Sequence, residues 1–183
     1  MTVQSSMQNV GLPPGVPALK PAAALVSAPL IEAYAAWCVL KGDRLAPCRR
    51  DIQPKAFKAV LPEAFLLDVI DKGADYRFVL GGDKLVRFLF GRLSPGMKLS
   101  TVSGSLFYER ATRALGECVR ARAPLATGPS RATLRGRELH SAEVLMMPLS
   151  DDGISVTSVF GAIHLVPLPL DFPPTPVDPV PAF

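Results

Sequence analysis

Apolar and polar positions along the chain separate into stretches with helical spacing and stretches with the alternation of strands. Apolar residues recur three and four positions apart over Leu30–Leu40, which predicts a helix with an apolar face. This helix is expected to begin at Ser27, a good N-cap residue, with Pro29 in its first turn, and to end at Gly42. A weaker pattern over residues 51–62 predicts a second, shorter helix.

The stretch AFLLDVIDKGADYRFVLGG, residues 64–82, predicts a β-hairpin. In its first apolar run Asp68 must face water, so the odd-numbered residues of that run point toward the interior. In the second run the even-numbered residues point inward. The segment DKGAD between the two runs is a competent hairpin loop.

The second half of the chain predicts one long helix followed by three strands. A short helix is expected after Gly82, and residues 105–123 carry the longest helical pattern. The predicted strands are Leu125–Arg135, Leu139–Leu149 and Ile154–Val166. In the last two strands both the odd-numbered and the even-numbered residues are largely apolar. A sheet with one solvent-exposed face would show a clearer alternation of apolar and polar residues. Both faces of the sheet must therefore be covered, one by these later helices and the other by the Leu30–Leu40 helix or by a partner chain.

Composition indicates where the domain begins and ends, and in which compartment it is expected. Prolines cluster at the two ends of the 183 residues, which predicts a disordered tail over residues 1–28, a domain over 29–170 and a proline-rich tail over 171–183. The net charge of +4 is mild and scattered, so nucleic acid is not an expected partner. The three cysteines form no CxxC pair, which favours a reducing cytoplasm, and no apolar run is long enough to span a membrane.

The element order of hairpin, short helices, long helix and three-stranded meander resembles that of a PAS domain. Short stretches strengthen the resemblance over roughly residues 30–166, and the chain is similar to small stand-alone PAS-domain proteins of alphaproteobacteria. The matching stretches are AYAAW (33–37), PCRRDIQP (47–54), LPEAFLLDV (61–69), DYRFVLGG (75–82), FGRLSPGMKL (90–99), LMMPLSDDG (145–153) and VFGAIH (159–164). Asp83 departs from the pattern, because a small hydroxyl residue is usual there.

The resemblance implies an α+β fold with a five-stranded antiparallel sheet in the order 2-1-5-4-3, counted along the chain. It implies helices that enclose a cavity on one face and an N-terminal helix on the other. It further implies a sensory or regulatory role through binding of a small molecule or a partner protein, frequently as a homodimer. It identifies no ligand.

Two sets of residues are candidate sites. An inward set would line a cavity for a small apolar ligand or fill a solid core: Leu67, Val69, Tyr76, Phe78, Leu80, Phe88, Phe107, Ala111 and Met146. A second set, on the first helix and the last strand, would form the interface with a signalling partner or a second copy: Leu30, Ile31, Tyr34, Trp37, Cys38, Val159 and Ile163.

Residues with recognisable chemistry argue against a bound cofactor, a metal or a reaction. Haem-binding PAS domains commonly take a histidine from the long helix, whereas His140 and His164 lie on predicted strands. Cys118 lacks the helical motif of a flavin photosensor and is interpreted as a small buried hydrophobe. Asp151 and Asp152 occupy a tight turn, and no nucleophile lies in an elbow motif.

Three functions therefore remain open. The first is a non-enzymatic PAS regulator that signals through the Leu30–Leu40 helix and the sheet face beneath it. The second is an interaction module with a closed core and no ligand. The third, ranked last, is a small isomerase-type enzyme of a cone-shaped fold, because Asp68 and Glu143 are predicted to point away from the cavity that such an enzyme would use.

Overall fold

The computed structural model describes residues 18–88, 93–134 and 138–167. Over these ranges the chain forms an antiparallel sheet with helices on both faces. The strands are β1 (Leu19–Pro21), β2 (Ala64–Ile70), β3 (Asp75–Gly81), β4 (Leu125–Leu134), β5 (Glu138–Leu149) and β6 (Ser158–Pro167). The α-helices are α1 (Ala28–Lys41), α2 (Asp83–Phe88) and α3 (Leu106–Ala121). Short 3-10 segments occupy Ala22–Ala24, Arg49–Asp51, Pro54–Phe57, Leu61–Glu63, Asp71–Gly73 and Leu99–Val102.

The sheet has the order β1-β4-β5-β6-β2-β3, so the predicted count of five strands is wrong. Without β1, the other five strands keep the predicted neighbours in the order 2-1-5-4-3. The added strand is Leu19–Pro21, which pairs with β4 through Lys20 opposite Ala126. Its proline content hid it in the sequence, yet a proline is tolerated at the end of an edge strand, where one side of the backbone has no strand to bond. Residues 18–28 therefore belong to the fold rather than to the predicted tail, while residues 1–17 and 171–183 lie outside the described ranges.

Every strand pair is antiparallel, and the predicted hairpin of β2 and β3 is confirmed. The pairing of β2 with β3 has one irregularity: Leu67 lies opposite Phe78, but Leu66 lies opposite Leu80. Val79 is the extra residue of a β-bulge, and a bulge changes the side to which the following residue points. The alternation of β3 is therefore reversed after Phe78.

Two apolar clusters lie on opposite faces of the sheet. We call the face under α1 the outer face and the face under α3 the inner face. The outer cluster includes Leu30, Ala33, Trp37, Phe57, Leu66, Leu145, Met147, Phe160 and Ala162. The inner cluster includes Phe65, Leu67, Tyr76, Phe78, Leu85, Leu99, Leu115, Cys118, Met146 and Val159. The prediction that both faces are covered is confirmed.

The second predicted helix, over residues 51–62, is wrong. The chain between α1 and β2 instead makes three separate 3-10 turns, two of which begin at Pro54 and Pro62 or directly before them. Each proline breaks the backbone hydrogen bonding of a continuous helix. Phe57 on the middle turn still reaches the outer face, where its ring meets that of Phe160 edge to face at 4.9 Å between ring centroids.

Gly82, at the end of the hairpin, allows the backbone to pass close to the turn before β2. A Cβ atom at this position would lie 2.1 Å from the carbonyl oxygen of Leu61, which no side chain could tolerate. The glycine is therefore needed for close packing of the two segments.

The last strand begins later than predicted, at Ser158 rather than Ile154. The Asp152 carboxylate accepts hydrogen bonds from the backbone N–H groups of Ile154 and Ser155, both at 2.8 Å, and holds that stretch as a loop.

Candidate functional site

Helix α1 lies on the outer face with one row of side chains buried against the strands. Leu30, Ala33 and Trp37, spaced three and four residues apart, form this row. Trp37 is 2% exposed and donates a hydrogen bond from its indole Nε1 to the carbonyl oxygen of Pro148 at 3.0 Å. The indole therefore fixes α1 to one level of β5 in addition to burying a large apolar surface.

Glu143 on β5 holds the beginning of α1 and the segment before it. Its carboxylate is 1% exposed and accepts hydrogen bonds from the backbone N–H groups of Ser27 at 2.8 Å and Val26 at 3.2 Å. It also forms an ion pair of 2.7 Å with the ammonium group of Lys20 on β1. We call Glu143 and its three partners the Glu143 clamp. The clamp joins residues more than 110 positions apart in the chain.

The electrostatics of the clamp favour an ionised carboxylate. Burial alone would raise the pKa of Glu143, but the hydrogen bonds from Lys20, Ser27 and Val26 outweigh it and leave the pKa below its usual value. Ser27 is the N-cap residue as predicted, yet its side chain makes no capping hydrogen bond. The negative charge that stabilises a helix N-terminus is supplied instead by the distant Glu143.

The side of α1 that faces away from the sheet is also apolar. Ile31, Ala35, Cys38 and Val39 are exposed there, Ile31 at 44% and Val39 at 82%. We call these four residues the outward row. Glu32 is the charged residue among its exposed neighbours. A helix that is apolar on opposite sides is typical of helices buried on both sides, whereas the structure covers α1 on one side only.

The inner face brings together most of the predicted cavity residues. Leu67, Tyr76, Phe78 and Met146 are buried there, and Val69 and Ala111 are partly buried against them. Phe88 and Phe107 were predicted to join them, but their side chains lie outside the described residues. This face packs against α3 and the segment of residues 93–102.

Tyr76 has an unusual position within this inner cluster. Its side chain is buried, and within the described residues its hydroxyl group has no hydrogen-bond partner. Burial raises the pKa of Tyr76 to about 12, with smaller contributions from Cys118 and Asp75. Cβ atoms built on Gly73 and Gly116 would lie 3.4 and 3.9 Å from the hydroxyl oxygen, so both glycines border it. A buried hydroxyl without a partner costs stability, which makes this the polar point of an apolar interior.

Three predicted site residues lie on the wrong face of the sheet. Leu80 was predicted to line the cavity, but the β-bulge places it opposite Leu66, and it is 45% exposed. Val159 and Ile163 were predicted to join α1 at the interface, but both belong to the inner cluster. The alternate residues Phe160 and Ala162 lie under α1 instead. Strand β6 is apolar on both alternations, so the sequence did not show which set faces which helix.

The other interface predictions divide within α1 itself. Leu30 and Trp37 are buried in the contact with the sheet, Tyr34 is half-buried at its side, and Ile31 and Cys38 point outward. The helix was predicted to have one apolar face. It has two apolar rows, one of which is buried against the sheet while the other is exposed.

Two further polar groupings lie near these surfaces. Glu63 is buried and meets His164 Nδ1 at 2.9 Å on the outer side of β6. A groove of about 320 Å3 lies between the residues around Cys48 and the loop around Asp151. The thiol of Cys48 donates to an Asp151 carboxylate oxygen at 2.8 Å, and this hydrogen bond is the main reason that the pKa of Asp151 is below its usual value.

Comparison with known families agrees with this architecture. A family model described as PAS domain matches residues 25–164, more than half of the chain. The chain belongs to the PAS domain family. No curated protein matches the chain.

Membership in the PAS family supports a sensory or regulatory domain in general terms. The matched residues begin at Leu25, so they include α1 and Glu143 with its partners Val26 and Ser27, whereas Lys20 and β1 lie before them. Among the residues that the structure describes, no helix is long and apolar enough to cross a membrane.

The role of Glu143 in this PAS domain was missed at the level of sequence, although a signal existed. Glu143 is the acidic residue in the otherwise apolar stretch AEVLMMPL of a strand predicted to be covered on both faces. A charge at such a position requires a partner. The partner could not be named, because it lies in a segment assigned to a tail.

Proposed function

We propose that this PAS protein is a non-enzymatic regulator in which α1 transmits the state of the domain to a second protein. The observation that carries this proposal is the outward row of α1, an exposed apolar surface on a helix that is also packed on the sheet. A helix held by a few directional contacts can shift between docked arrangements, and a partner that prefers one arrangement shifts the population. Trp37 and the Glu143 clamp are those contacts.

A small molecule bound at the inner face is the proposed signal. Tyr76 supports this part of the proposal, because its buried hydroxyl would gain a hydrogen bond from a ligand that carries one polar group on an otherwise apolar body. The strands connect the two faces directly: Met146 lies in the inner cluster, and its neighbours Leu145 and Met147 lie under α1. A change in packing at Met146 therefore acts on residues that contact the helix.

The proposal assigns no reaction to the chain. Glu143, the most buried acid among the residues with described burial, holds the N-terminal segment, and Asp68 is paired with Arg49 at 2.9 Å on the outer face. Both carboxylates thus have structural partners, which supports binding rather than catalysis. A cytoplasmic location is part of the same proposal and is supported by three cysteines that remain free thiols.

Native mass spectrometry and hydrogen exchange test the proposal together. Protein purified from its own host should carry a small molecule that is lost on denaturation. Amide exchange over residues 28–41 should differ between loaded and stripped protein, because occupation of the inner face is proposed to change the docking of α1. The Tyr76→Phe variant should retain less of the molecule than the matched Tyr108→Phe variant on α3.

A second candidate function is an interaction module with a closed core and no ligand. The observation that favours it is the tight burial of Leu67, Tyr76 and Phe78 in the inner cluster, each at most 5% exposed. Protein without a retained molecule, together with exchange in α1 that does not respond to any addition, would support this candidate and contradict the first.

A further inference from the structure

The net charge of the chain is concentrated in the segment that begins with the last residue of α1. Residues 41–58 contain six basic and two acidic residues, out of 20 basic and 16 acidic residues in the whole chain. The rest of the chain is therefore neutral, with 14 residues of each sign. The segment carries the entire excess of +4. Such a local excess creates a positive potential that attracts acidic partners.

Only part of this charge is neutralised within the structure. Arg44 pairs with Asp51 at 2.8 Å, and Arg49 pairs with Asp68 at 2.9 Å. Lys41, Arg50, Lys55 and Lys58 have no carboxylate within 4 Å among the described residues. All of these except Lys41, which is half-exposed, are exposed. We call these four residues the basic border.

The basic border lies beside α1. Lys41 is the last residue of α1, and the Pro54–Phe57 turn that carries Lys55 packs against the helix. The ring of Phe57 on this turn contacts that of Phe160 on β6. Phe160 pairs across the sheet with Met147 on β5, next to the Pro148 carbonyl that accepts the hydrogen bond from Trp37. Lys55 lies on this turn and Lys58 directly follows it, so both exposed side chains belong to a segment that packs against α1.

We infer that the outward row and the basic border together form a docking surface for an acidic amphipathic helix of another protein. This inference rests on the proposed function and names the chemistry of the partner. A helix that lays an apolar row on Ile31, Ala35 and Val39 would bury the exposed surface of α1. Acidic residues beside that row would meet the basic border, and the small side chain of Ala35 lets the two helices approach closely.

Charge separates this partner from the alternatives. A second copy of the chain would bring two basic borders against each other around the same contact, and like charges at an interface are unfavourable. An anionic membrane would match the charge, but surface-bound helices usually insert large side chains such as Trp, Phe or Leu. The outward row instead offers alanine, cysteine and single β-branched residues in a narrow line.

Two labelled peptides test the inference on the full chain. Both carry leucines at positions 1, 5, 8 and 12 of a helix; one has glutamates at the flanking positions and the other has lysines. By fluorescence anisotropy the glutamate peptide should bind about tenfold or more tightly than the lysine peptide, and about 0.5 M salt should weaken it strongly. Equal binding of both peptides, or binding of neither, overturns the inference.

Matched variants locate the peptide on the surface. Val39→Asp should weaken the glutamate peptide about tenfold, because it places a charge in the apolar contact and repels the acidic flanks. Lys55→Glu with Lys58→Glu should reverse the preference between the two peptides. The control pair Lys72→Glu with Arg113→Glu makes the same change in charge at the hairpin turn and on α3, and should leave both affinities within about twofold. A control pair that acts as strongly as the border pair would overturn the location.

The competing occupants have their own readouts. A dimer measured by light scattering that Val39→Asp converts to a monomer would assign the surface to a second copy. Co-sedimentation with phosphatidylglycerol vesicles, without binding of the glutamate peptide, would assign it to a lipid surface. Either result overturns the acidic partner, yet leaves the mass-spectrometric and exchange results on the proposed regulator unaffected, since those use no peptide.

Discussion

Helices α1 and α3 both cover the same sheet, but they are built differently. Helix α3 is amphipathic: Leu115 and Cys118 face the strands, while Glu109, Arg113 and Arg120 are exposed. Its N-terminus is capped locally, by the Ser105 hydroxyl that accepts from the N–H of Tyr108 at 3.2 Å. Helix α1 has apolar rows on opposite sides, and the two residues before it are held by a carboxylate from a distant strand.

The two helices differ in whether the side that faces away from the sheet is polar. The charged side of α3 is suited to water, so nothing further has to bind there. The outward row of α1 exposes apolar side chains to water. The helix is held to the sheet by two sets of polar contacts, the Trp37 hydrogen bond and the Glu143 clamp, which substitution or a change of pH can remove. The inner face is therefore covered by a helix whose other side is polar, whereas the helix on the outer face leaves an apolar row exposed, and each prediction below probes that difference.

The largest expected effect is the removal of Trp37. Trp37→Ala should lower the free energy of unfolding by about 4 kcal/mol, because it leaves a large cavity and an unpaired carbonyl at Pro148. Hydrogen exchange should show early opening over β1 and α1, while the centre of the sheet stays protected. Phe78→Ala on the inner face is the control and should open the sheet itself. Identical exchange patterns in the two variants would contradict the division between the faces.

The second prediction concerns the Glu143 clamp. Glu143→Ala should cost about 3 kcal/mol, because the backbone N–H groups of Val26 and Ser27 lose their acceptor and Lys20 loses its counter-ion. Urea unfolding of the variant against Glu32→Ala, which removes an exposed acid of α1, measures the effect. A loss in Glu143→Ala no larger than in Glu32→Ala would show that the clamp does not hold the helix.

Acid should release the same contact more gently. The folded-state pKa of Glu143 is lowered, so its ionised form contributes stability that is complete above the usual glutamate value of 4.5 and is lost as the pH falls below it. Asp51, Asp75 and Asp151 also have lowered pKa values and titrate in the same range. The difference in unfolding free energy between the natural chain and Glu143→Gln isolates Glu143, and it should shrink with falling pH. A difference that stays constant between neutral and strongly acidic pH would contradict the clamp as an ion pair.

The smallest expected effect has the opposite sign. Tyr76→Phe removes a buried hydroxyl that has no hydrogen-bond partner among the described residues, so the stripped protein should gain about 1 kcal/mol in unfolding free energy. Thermal unfolding against Tyr108→Phe measures the gain. A loss of stability would mean that the hydroxyl already has a partner, and the case for a polar ligand group at this point would fail.

Local patterns were sufficient for most of the elements of this domain. The hairpin of residues 64–82, the long helix α3 and the three final strands follow from alternation and turn residues, which act within a few positions of the chain. The outward position of Asp68 was also correct, because one charged residue in an apolar run determines the side to which its neighbours point. The inner set around Leu67, Tyr76 and Phe78 followed from the same alternation.

Apart from the helix over residues 51–62, which its own prolines interrupt, the errors arose where strand pairing or packing determines the outcome. The bulge at Val79 turned Leu80 outward, and Val159 and Ile163 were assigned to the wrong face because β6 is apolar on both sides. Residues 18–28 were mistaken for a tail because their composition shows prolines and alanines but not the strand that receives them.

The sequence by itself determined that this chain forms a hairpin, one long helix and an apolar meander, and that both faces of its sheet need cover. Tertiary structure alone decided that Leu19–Pro21 forms the edge strand of the sheet, that Glu143 holds the segment leading into α1 and that the Pro54–Phe57 turn packs against α1. The physical reason is range: alternation and capping residues act between neighbours, whereas strand pairing and a buried ion pair join positions such as Lys20 and Glu143, 123 residues apart, that have no common pattern to reveal them.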